Sequence, residues 1–317
     1  MINKDFNSIL GIIKAFPTEE KCIEHLEALR WNGNPVSPFD PESKVYKCKG
    51  NKYKCKNTGK YFNVRTGTMF DNTKVELQKW FIAMWLITSH KKGISSLQLS
   101  RDLDVTQKTA WFMNHRIRAC FGMENDSNPD LNNEVEIDET YVGGKNKNRH
   151  ADKKVKGAHG RSSKDKTPVV GMVERKGYVF AYTVPDVKSK TITPLVEALV
   201  SKDSKVYTDE WGGYKGVSKV YDHEIVKHNE GQYVNGRVHT NTIEGFWSLL
   251  KRGIIGIYHH TSEKHLQKYV DEFVFRYNTR EHESETTRFN QLIEKCGVRT
   301  KYHNLIAGNQ NEMALPF

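Results

Sequence analysis

The sequence lacks any long apolar run. Its longest run, Trp80 to Ile87, has eight residues, whereas a helix that spans a membrane needs about 20. The early apolar stretch from Ile9 to Phe16 is interrupted by Lys14, and no cleavage site of small residues follows it. We therefore expect neither a membrane span nor a secretory signal, and we predict a cytoplasmic protein.

Cysteine is scarce as well. The five cysteines are odd in number and scattered, at positions 22, 48, 55, 120 and 296. This distribution is typical of reduced thiols in the cytosol and argues against a disulfide framework. The chain of 317 residues is long enough for two domains or three small ones, each with a core of its own.

Acidic residues are outnumbered, and unevenly so. The net charge is +11, of which residues 1–125 carry +8. Residues 44–65 contain eight Lys or Arg and no acid, with tyrosines between them, and residues 145–166 contain nine basic residues against two acids. We predict that the second stretch is a loop. Such runs indicate a nucleic-acid backbone as partner, although an anionic membrane surface or a solvated face has the same composition.

Residues 1–72 begin with helical periodicity and continue as a turn-rich region of short strands that resembles a zinc ribbon. In a ribbon, two turns each present a pair of metal ligands, and here those pairs fall at Ser37 with Asp40 and at Cys55 with Thr58. Because structural zinc almost always needs four nitrogen or sulfur ligands, we predict a ribbon without zinc. Its exposed lysines are the predicted DNA contacts: Lys47, Lys49, Lys52 and Lys54.

Residues 73–124 are strongly helical, and their second half has the spacing of a helix-turn-helix. Thr106 is expected to cap the second helix. The apolar residues expected to fix the helix pair are Leu97, Leu103, Val105, Ala110, Met113 and Ile117. The residues expected to meet DNA are Gln107, Lys108, Trp111, Asn114 and Arg118. The alternative is an ordinary helical hairpin.

Residues 125–300 have an α/β pattern, and residues 301–317 form a tail with too little periodicity to assign. Strands are predicted at 134–142, 168–175, 178–184, 205–208 and 223–228, and helices at 192–201, 241–253, 263–280 and 287–296. Three strands, a helix and a further strand resemble the ribonuclease-H-like core. We therefore predict an α/β fold with a mixed sheet flanked by helices, preceded by the ribbon and the helix-turn-helix.

Three acidic residues lie where such a core would place a site. Asp138 lies within the first strand, Asp209 follows the fourth, and Glu244 lies on the polar side of a helix with a strongly apolar back. Glu136 and Glu139 flank the first acid, and each could be a bystander or a partner of Asp138. The order strand, strand, helix, with 34 residues between the last two acids, resembles the DDE transposase and integrase superfamily.

The residues around the acids narrow the resemblance. The segments DETYVGGK (138–145), TNTIEGFWSLLKR (240–252) and YVDEFVFRYN (269–278) resemble the ISXO-like insertion-sequence transposases of bacteria. That resemblance implies an amino-terminal ribbon and helix-turn-helix ahead of a catalytic core. The missing ribbon cysteines depart from the family pattern and bear on metal in the ribbon, not on the core.

The resemblance implies a site that holds two Mg²⁺ or Mn²⁺ ions through Asp138, Asp209 and Glu244. In this family the third position is also described as asparagine, which would be Asn241 here. A carboxylate is the harder, anionic ligand, so Glu244 is favoured, with Asn241 orienting it or the substrate. Lys251, two turns further on, would reach a phosphate.

The predicted function is to bind the terminal repeats of the element, cut its ends and join the 3′-hydroxyls to target DNA. Cutting and joining a phosphodiester needs charge neutralisation at both the attacking and the leaving oxygen, which two metal ions supply. Because two ends act together, we expect a homo-oligomer on DNA and no membrane partner. The alternatives are a non-catalytic DNA-binding regulator and a ribonuclease-H-like nuclease that cuts without joining.

Overall fold

A computed structural model describes most of the chain as two compact units. The described residues are 6–122, 130–144, 150–157, 165–226, 237–281 and 284–307. Unit 1 comprises residues 1–123 and 281–307, and unit 2 includes residues 124–280. No helix within the described ranges is long and apolar enough to cross a membrane.

Unit 1 is built on short capped helices. Its helices are α1 (Ile9–Ala15), α2 (Glu19–Trp31), α3 (Leu77–Ser89), α4 (Ser96–Leu103), α5 (Gln107–Phe121), α9 (Glu285–Glu294) and α10 (Tyr302–Ala307). Ser8 and Thr18 cap α1 and α2, each accepting a hydrogen bond from a backbone N–H of the first turn. Aromatic rings join remote segments, since Phe289 of α9 packs against Phe6, Phe16 and Phe81.

The ribbon is a three-stranded antiparallel sheet in the order β1-β2-β3. Its strands are β1 (Val45–Cys48), β2 (Lys52–Cys55) and β3 (Tyr61–Phe62). Tyr53 and Phe62 stack on each other at 5.7 Å, and both meet the ring of Trp31 from α2. This aromatic core holds the predicted ribbon shape.

Unit 2 is organised around a five-stranded mixed sheet with the strand order β6-β5-β4-β7-β8. The strands are β4 (Glu134–Val142), β5 (Thr167–Glu174), β6 (Val179–Thr183), β7 (Lys205–Asp209) and β8 (Asp222–Val226). The strands β4, β5 and β6 are antiparallel neighbours, whereas β7 runs parallel to both β4 and β8. This topology confirms the ribonuclease-H-like fold class.

Helices cover both faces of that sheet. Val135 and Ile137 of β4 belong to a core shared with α6 (Ser189–Leu199) and the 3₁₀ segment Gly212–Lys219. The opposite face packs against α7 (Asn241–Gly253), the π-helical turn Ile254–Tyr258 and α8 (Glu263–Asn278). The side chains of β4 therefore alternate between two cores, as the period of a strand requires.

The predicted division of the chain differs from the observed units. Residues 1–72 and 73–123, predicted as parts of separate domains, both belong to unit 1. The sequence pattern assigns residues 281–300 to the core, but they belong to unit 1, because Phe289 completes the aromatic cluster there. Within the predicted tail, residues 302–307 form α10. Parts of the predicted basic loop (145–149, 158–164), the end of the predicted strand at 227–228 and the tail residues 308–317 lie outside the described residues.

Candidate active site

The sheet register brings Asp138 and Asp209 together. The parallel strands β4 and β7 pair Glu134 with Lys205 and Glu136 with Tyr207, and the same register continued by two residues sets Asp138 beside Asp209. Paired residues of neighbouring strands point to the same face and lie about 5 Å apart. The two predicted acids therefore share one face of the sheet.

Asp138 is enclosed from the side of α7. The indole Nε1–H of Trp247 donates a hydrogen bond to its Oδ2 at 3.0 Å. Gly171, the partner of Asp138 on β5, leaves the space that this indole fills, because a Cβ there would lie 2.5 Å from a Trp247 ring carbon. Burial raises the pKa of Asp138 to about 7, and the negative charges of Glu139 and Asp209 act in the same direction.

Glu136 anchors the start of α7. Its side chain is fully buried, and Oε2 accepts the backbone N–H groups of Thr242 (2.8 Å) and Ile243 (3.1 Å). Its Oε1 accepts the Thr242 hydroxyl at 2.9 Å and Arg175 Nε at 2.8 Å. A carboxylate at a helix N-terminus satisfies free N–H groups and meets the positive end of the helix dipole. Glu136 therefore fixes α7 against the strand that carries Asp138.

Glu139 lies on the opposite face of β4. Its Oε2 accepts the hydroxyl of the buried Tyr214 at 2.6 Å. Burial raises the pKa of that Tyr214 well above its ordinary value, and the charge of Glu139 adds to the rise. The two glutamates that flank Asp138 thus hold different elements, one the helix α7 and the other the 3₁₀ segment.

The remaining predicted site residues lie on the exposed face of α7. Asn241, Glu244 and Lys251 are all exposed, and Glu244 Oε1 accepts the hydroxyl of Thr240 at 3.1 Å. Within the described ranges, no three His, Cys, Asp or Glu side chains are grouped closely enough to hold a metal ion. The structure thus brings two of the three predicted acids together and leaves the third on α7, the helix that contacts Asp138 through Trp247.

The predicted helix pair consists of α4 and α5 joined by a short turn, and Thr106 caps α5 through a hydrogen bond from the Thr109 N–H. Leu99 is fully buried, whereas Leu97, predicted to fix the helix pair, is 51% exposed. Asp104 takes the left-handed turn position that glycine commonly occupies. Ala110 and Met113 of α5 are buried as predicted.

The prediction that Asn114 and Arg118 are free to meet DNA is wrong, because their exposures are only 1% and 2%. Arg116, two positions from each of them, is buried as well and donates to the carbonyls of Met69 and Thr300. The first turn is open, since Gln107 and Lys108 are exposed and Trp111 is half-buried. Gln107 donates to Ser96, and the Lys108 ammonium lies 5.1 Å from the Tyr302 ring.

The ribbon presents the predicted lysines at its surface. Lys47, Lys49 and Lys52 are exposed and Lys54 is half-buried, with its ammonium 5.6 Å from the ring of Tyr61. At the predicted ligand positions, Ser37 and Asp40 pair in an isolated β-bridge.

Hydroxyl groups surround Cys55, the one cysteine at a predicted ligand position of the ribbon. Burial raises the pKa of Cys55, but hydrogen bonds from Ser37, Ser43 and Thr58 outweigh it and lower that pKa to about 6. The residues at two predicted ligand positions thus contact the thiol as hydrogen-bonding hydroxyls. Zinc in this ribbon remains predicted to be absent.

Two tryptophans near the acids were not identified from the sequence as site residues. The sequence pattern assigns Trp247 only to the apolar back of α7, and its contact with Asp138 depends on the pairing of Gly171. Trp211 follows Asp209 by two residues, and its backbone N–H donates to Asp209 Oδ1 at 2.9 Å. The sequence carries a signal for Trp211 in the segment DEWGGY (209–214), where a large aromatic residue follows the end of a strand and precedes two glycines.

Known proteins resemble this sequence. Residues 130–278 match the family described as the ISXO2-like transposase domain. A Halobacterium salinarum protein, described as an uncharacterized protein in transposable element ISH50, is 30% identical over 279 residues, covering 83% of this chain and 92% of the relative. An uncharacterized transposase-like protein of Haemophilus influenzae is 27% identical over 117 residues, covering 37% of this chain and 94% of the relative.

Two solved structures of the Mos1 system show a weak likeness. The Mos1 strand transfer complex has 12% identity and a TM-score of 0.26, covering 70% of this chain and 79% of that chain. The pre-cleavage Mos1 transpososome has 12% identity and a TM-score of 0.23, covering 92% and 97%. Both scores are too low to relate individual residues. The halobacterial relative and the match over residues 130–278 show that this chain belongs to the ISXO2-like transposases, insertion-sequence enzymes of the DDE superfamily.

Proposed function

We propose that the chain binds the terminal repeats of its element, cleaves the DNA there and transfers the 3′-hydroxyl ends into target DNA with Mg²⁺ or Mn²⁺. The observation that supports this most directly is the register of β4 and β7, which sets Asp138 and Asp209 on one face. Beside them, α7 contacts Asp138 through Trp247 and carries Glu244 one turn earlier. A phosphodiester reaching Asp138 and Asp209 would therefore meet the exposed side of α7.

The residues present fit divalent cations. Asp138 and Asp209 supply hard, anionic oxygen atoms, the ligands that Mg²⁺ prefers, and Mg²⁺ uses only one or two carboxylates beside water and phosphate. Burial is the main cause of the raised Asp138 pKa, and the nearby negative charges of Glu139 and Asp209 add to it; a bound cation would relieve that repulsion. Asp138, Asp209 and Glu244 would hold two ions, which when bound activate the attacking oxygen and stabilise the leaving oxygen.

The protein groups have separate roles in this proposal. Trp247 fixes the orientation of the Asp138 carboxylate through its indole N–H. Lys251 and Asn241 stand on the exposed face of α7 beside Glu244, where an ammonium and an amide can bind phosphate oxygens. A covalent protein nucleophile is not needed, because water or a DNA 3′-hydroxyl attacks the phosphorus in line.

Catalysis is tested with a plasmid that carries both element ends, a target plasmid and Mg²⁺, Mn²⁺ or a chelator. The variants Asp138→Asn and Asp209→Asn are expected to lose cleavage and joining but to bind end DNA within about twofold of the wild type. The matched control is Glu197→Gln, an exposed acid on α6 at the opposite face, which should leave both reactions unchanged. Full cleavage by Asp209→Asn, or by the wild type in chelator, would refute the metal site.

The third ligand is tested by cysteine substitution. A thiolate is a softer ligand than a carboxylate and suits Mn²⁺ better than Mg²⁺. If Glu244 is the ligand, Glu244→Cys is inactive in Mg²⁺ and regains activity in Mn²⁺, whereas Asn241→Cys has the same relative activity in both metals. The reverse result would assign the position to Asn241 and contradict the assignment of Glu244.

DNA binding is proposed to use the ribbon lysines and the first turn of α5. Replacing Lys47, Lys49, Lys52 and Lys54 with Gln should weaken binding to all sequences and lower the slope of log Kd against log salt by about 1 for each phosphate that is no longer bound. The control replaces two exposed lysines of unit 2, Lys202 and Lys219. An unchanged slope in the ribbon variant would show that these lysines only face solvent.

The same plasmid assay separates the alternatives. A DNA-binding regulator would bind the ends without cutting them, and a nuclease would cut them without producing joined target. Because joining needs two ends at once, we also propose that at least two copies assemble on end DNA. Sedimentation of the protein with an end duplex should then give a complex of two or more chains, and a complex of one chain that still joins both ends would contradict this.

A further inference from the structure

Trp211 stands out among the large apolar side chains of unit 2. It is 44% exposed, and it lies two residues after Asp209, at the end of β7. This exposed aromatic residue, which lies near Asp138 and Asp209, belongs to neither of the two cores of the sheet. Its position beside the acids is therefore a question of function.

The indole is held in one orientation although it is exposed. Its Nε1–H donates to the carbonyl of Val187 at 3.3 Å. The ring also packs over Gly213, where an added Cβ would lie 2.7 Å from Nε1 and 2.8 Å from Cδ1. An aromatic face fixed before binding loses little conformational freedom when a flat ligand stacks on it.

The ring is not needed to hold Asp209. The hydrogen bond that joins the two residues comes from the backbone N–H of Trp211, which any residue except proline provides. An exposed ring that is oriented, but that stabilises neither the carboxylate nor a core, is suited to contact a ligand.

We propose that Trp211 is a stacking platform for a nucleobase next to the phosphodiester that is cut. This inference rests on the proposed function, which brings DNA to Asp209. Every nucleobase has a flat face that can stack on an indole, and a duplex base can be taken out of its stack at a modest cost in free energy. The site is therefore expected to be tolerant of base identity and to need an unpaired or unstacked base.

The test is a binding cycle that needs no chemistry. The probe is a duplex copied from an element end, in the DNA that flanks the gene, together with copies that carry one abasic position each around the cleavage point. Dissociation constants are measured in chelator for the wild type, Trp211→Ala and Trp211→Phe. A matched control is Tyr178→Ala, another exposed aromatic of unit 2.

Trp211→Ala should weaken binding of the intact duplex about 5- to 150-fold, the range found for loss of one stacked base. Trp211→Phe should lose less than about fivefold because it retains a flat ring. At one abasic position the effect of Trp211→Ala should disappear, since the partner of the ring is already missing. Thermal unfolding of each variant shows that it is folded.

An equal loss at every abasic position, or no loss at all, would overturn the proposal. Loss of self-association by Trp211→Ala in the absence of DNA would also overturn it, and would assign the ring to a second copy of the chain. The proposed function is tested separately. If one abasic position removes the effect of Trp211→Ala but the wild type never cleaves DNA, the stacking site stands and the proposed function fails. If the wild type cleaves DNA but no abasic position removes that effect, the proposed function stands and the stacking site fails.

Discussion

Replacing Glu136 with glutamine tests how α7 is held against the catalytic strand. The two side chains have nearly the same shape, so the change removes charge and two acceptor sites without leaving a cavity. Each carboxylate oxygen of Glu136 accepts two hydrogen bonds, Oε1 from Arg175 and the Thr242 hydroxyl and Oε2 from the N–H groups of Thr242 and Ile243. In glutamine one of these oxygens becomes an NH₂ group, which faces two donors and can accept neither.

The expected loss of stability follows from those hydrogen bonds. Two hydrogen bonds to a charged group are removed at about 1.5–3 kcal/mol each, and breaking one partner of a buried ion pair costs about 3–5 kcal/mol. We therefore expect Glu136→Gln to lower the free energy of unfolding by about 3–5 kcal/mol. For a unit of this size that corresponds to a fall in Tm of about 6–20 °C.

Urea unfolding followed by circular dichroism and tryptophan fluorescence measures this loss. The matched control is Glu134→Gln on the same strand, which is 29% exposed and keeps an oxygen to accept the hydroxyl of Tyr207. Its expected loss is below about 1 kcal/mol. If the two variants lose the same stability, Glu136 does not anchor α7 and the account of how Glu244 is positioned is wrong.

Further variants test the packing beside Asp138 and the geometry of the ribbon. Gly171→Ala should displace the Trp247 indole from Asp138, which lowers the free energy of unfolding by about 1–3 kcal/mol and slows cleavage. Adding Trp247→Phe, which has a smaller ring, should restore part of that stability. A fully stable and active Gly171→Ala variant would contradict this packing. A ribbon variant with three added cysteines carries Ser37→Cys, Asp40→Cys and Thr58→Cys. Together with Cys55 it should bind one Zn²⁺ per chain, measured by metal analysis after dialysis, and the bound zinc should raise its Tm. A folded variant without zinc would show that the ribbon no longer has the geometry of a metal site.

The elements of unit 2 could be predicted because their signals are local. The alternation of Val135, Glu136, Ile137 and Asp138 predicts a strand with two distinct faces, and the observed β4 has them. The apolar back of α7 predicts its buried face in the same way. Register was not predictable from period alone, and it is register that sets Asp138 beside Asp209.

The wrong predictions for Leu97, Asn114 and Arg118 concern burial, which depends on tertiary structure. The helical period of α5 leaves Asn114 and Arg118 on its outer side, but only the folded chain shows that both side chains are buried. The role of Glu136 stayed open because its partners on α7 lie more than 100 residues away. In each case the surroundings of the side chain are set by tertiary structure and not by the local sequence.

The discontinuity of unit 1 has a consequence for synthesis. Phe289 closes the aromatic cluster of Phe6, Phe16 and Phe81, yet it leaves the ribosome after the whole of unit 2. We predict that the nascent residues 6–122 keep those rings exposed until residues 124–280 have been synthesised. A chain that ends at residue 280 should therefore be cleaved by protease within residues 6–122 faster than the full chain, whereas equal rates would show that unit 1 folds without its last helices. Translation order would then make the complete folding of unit 1 depend on prior synthesis of residues 124–280.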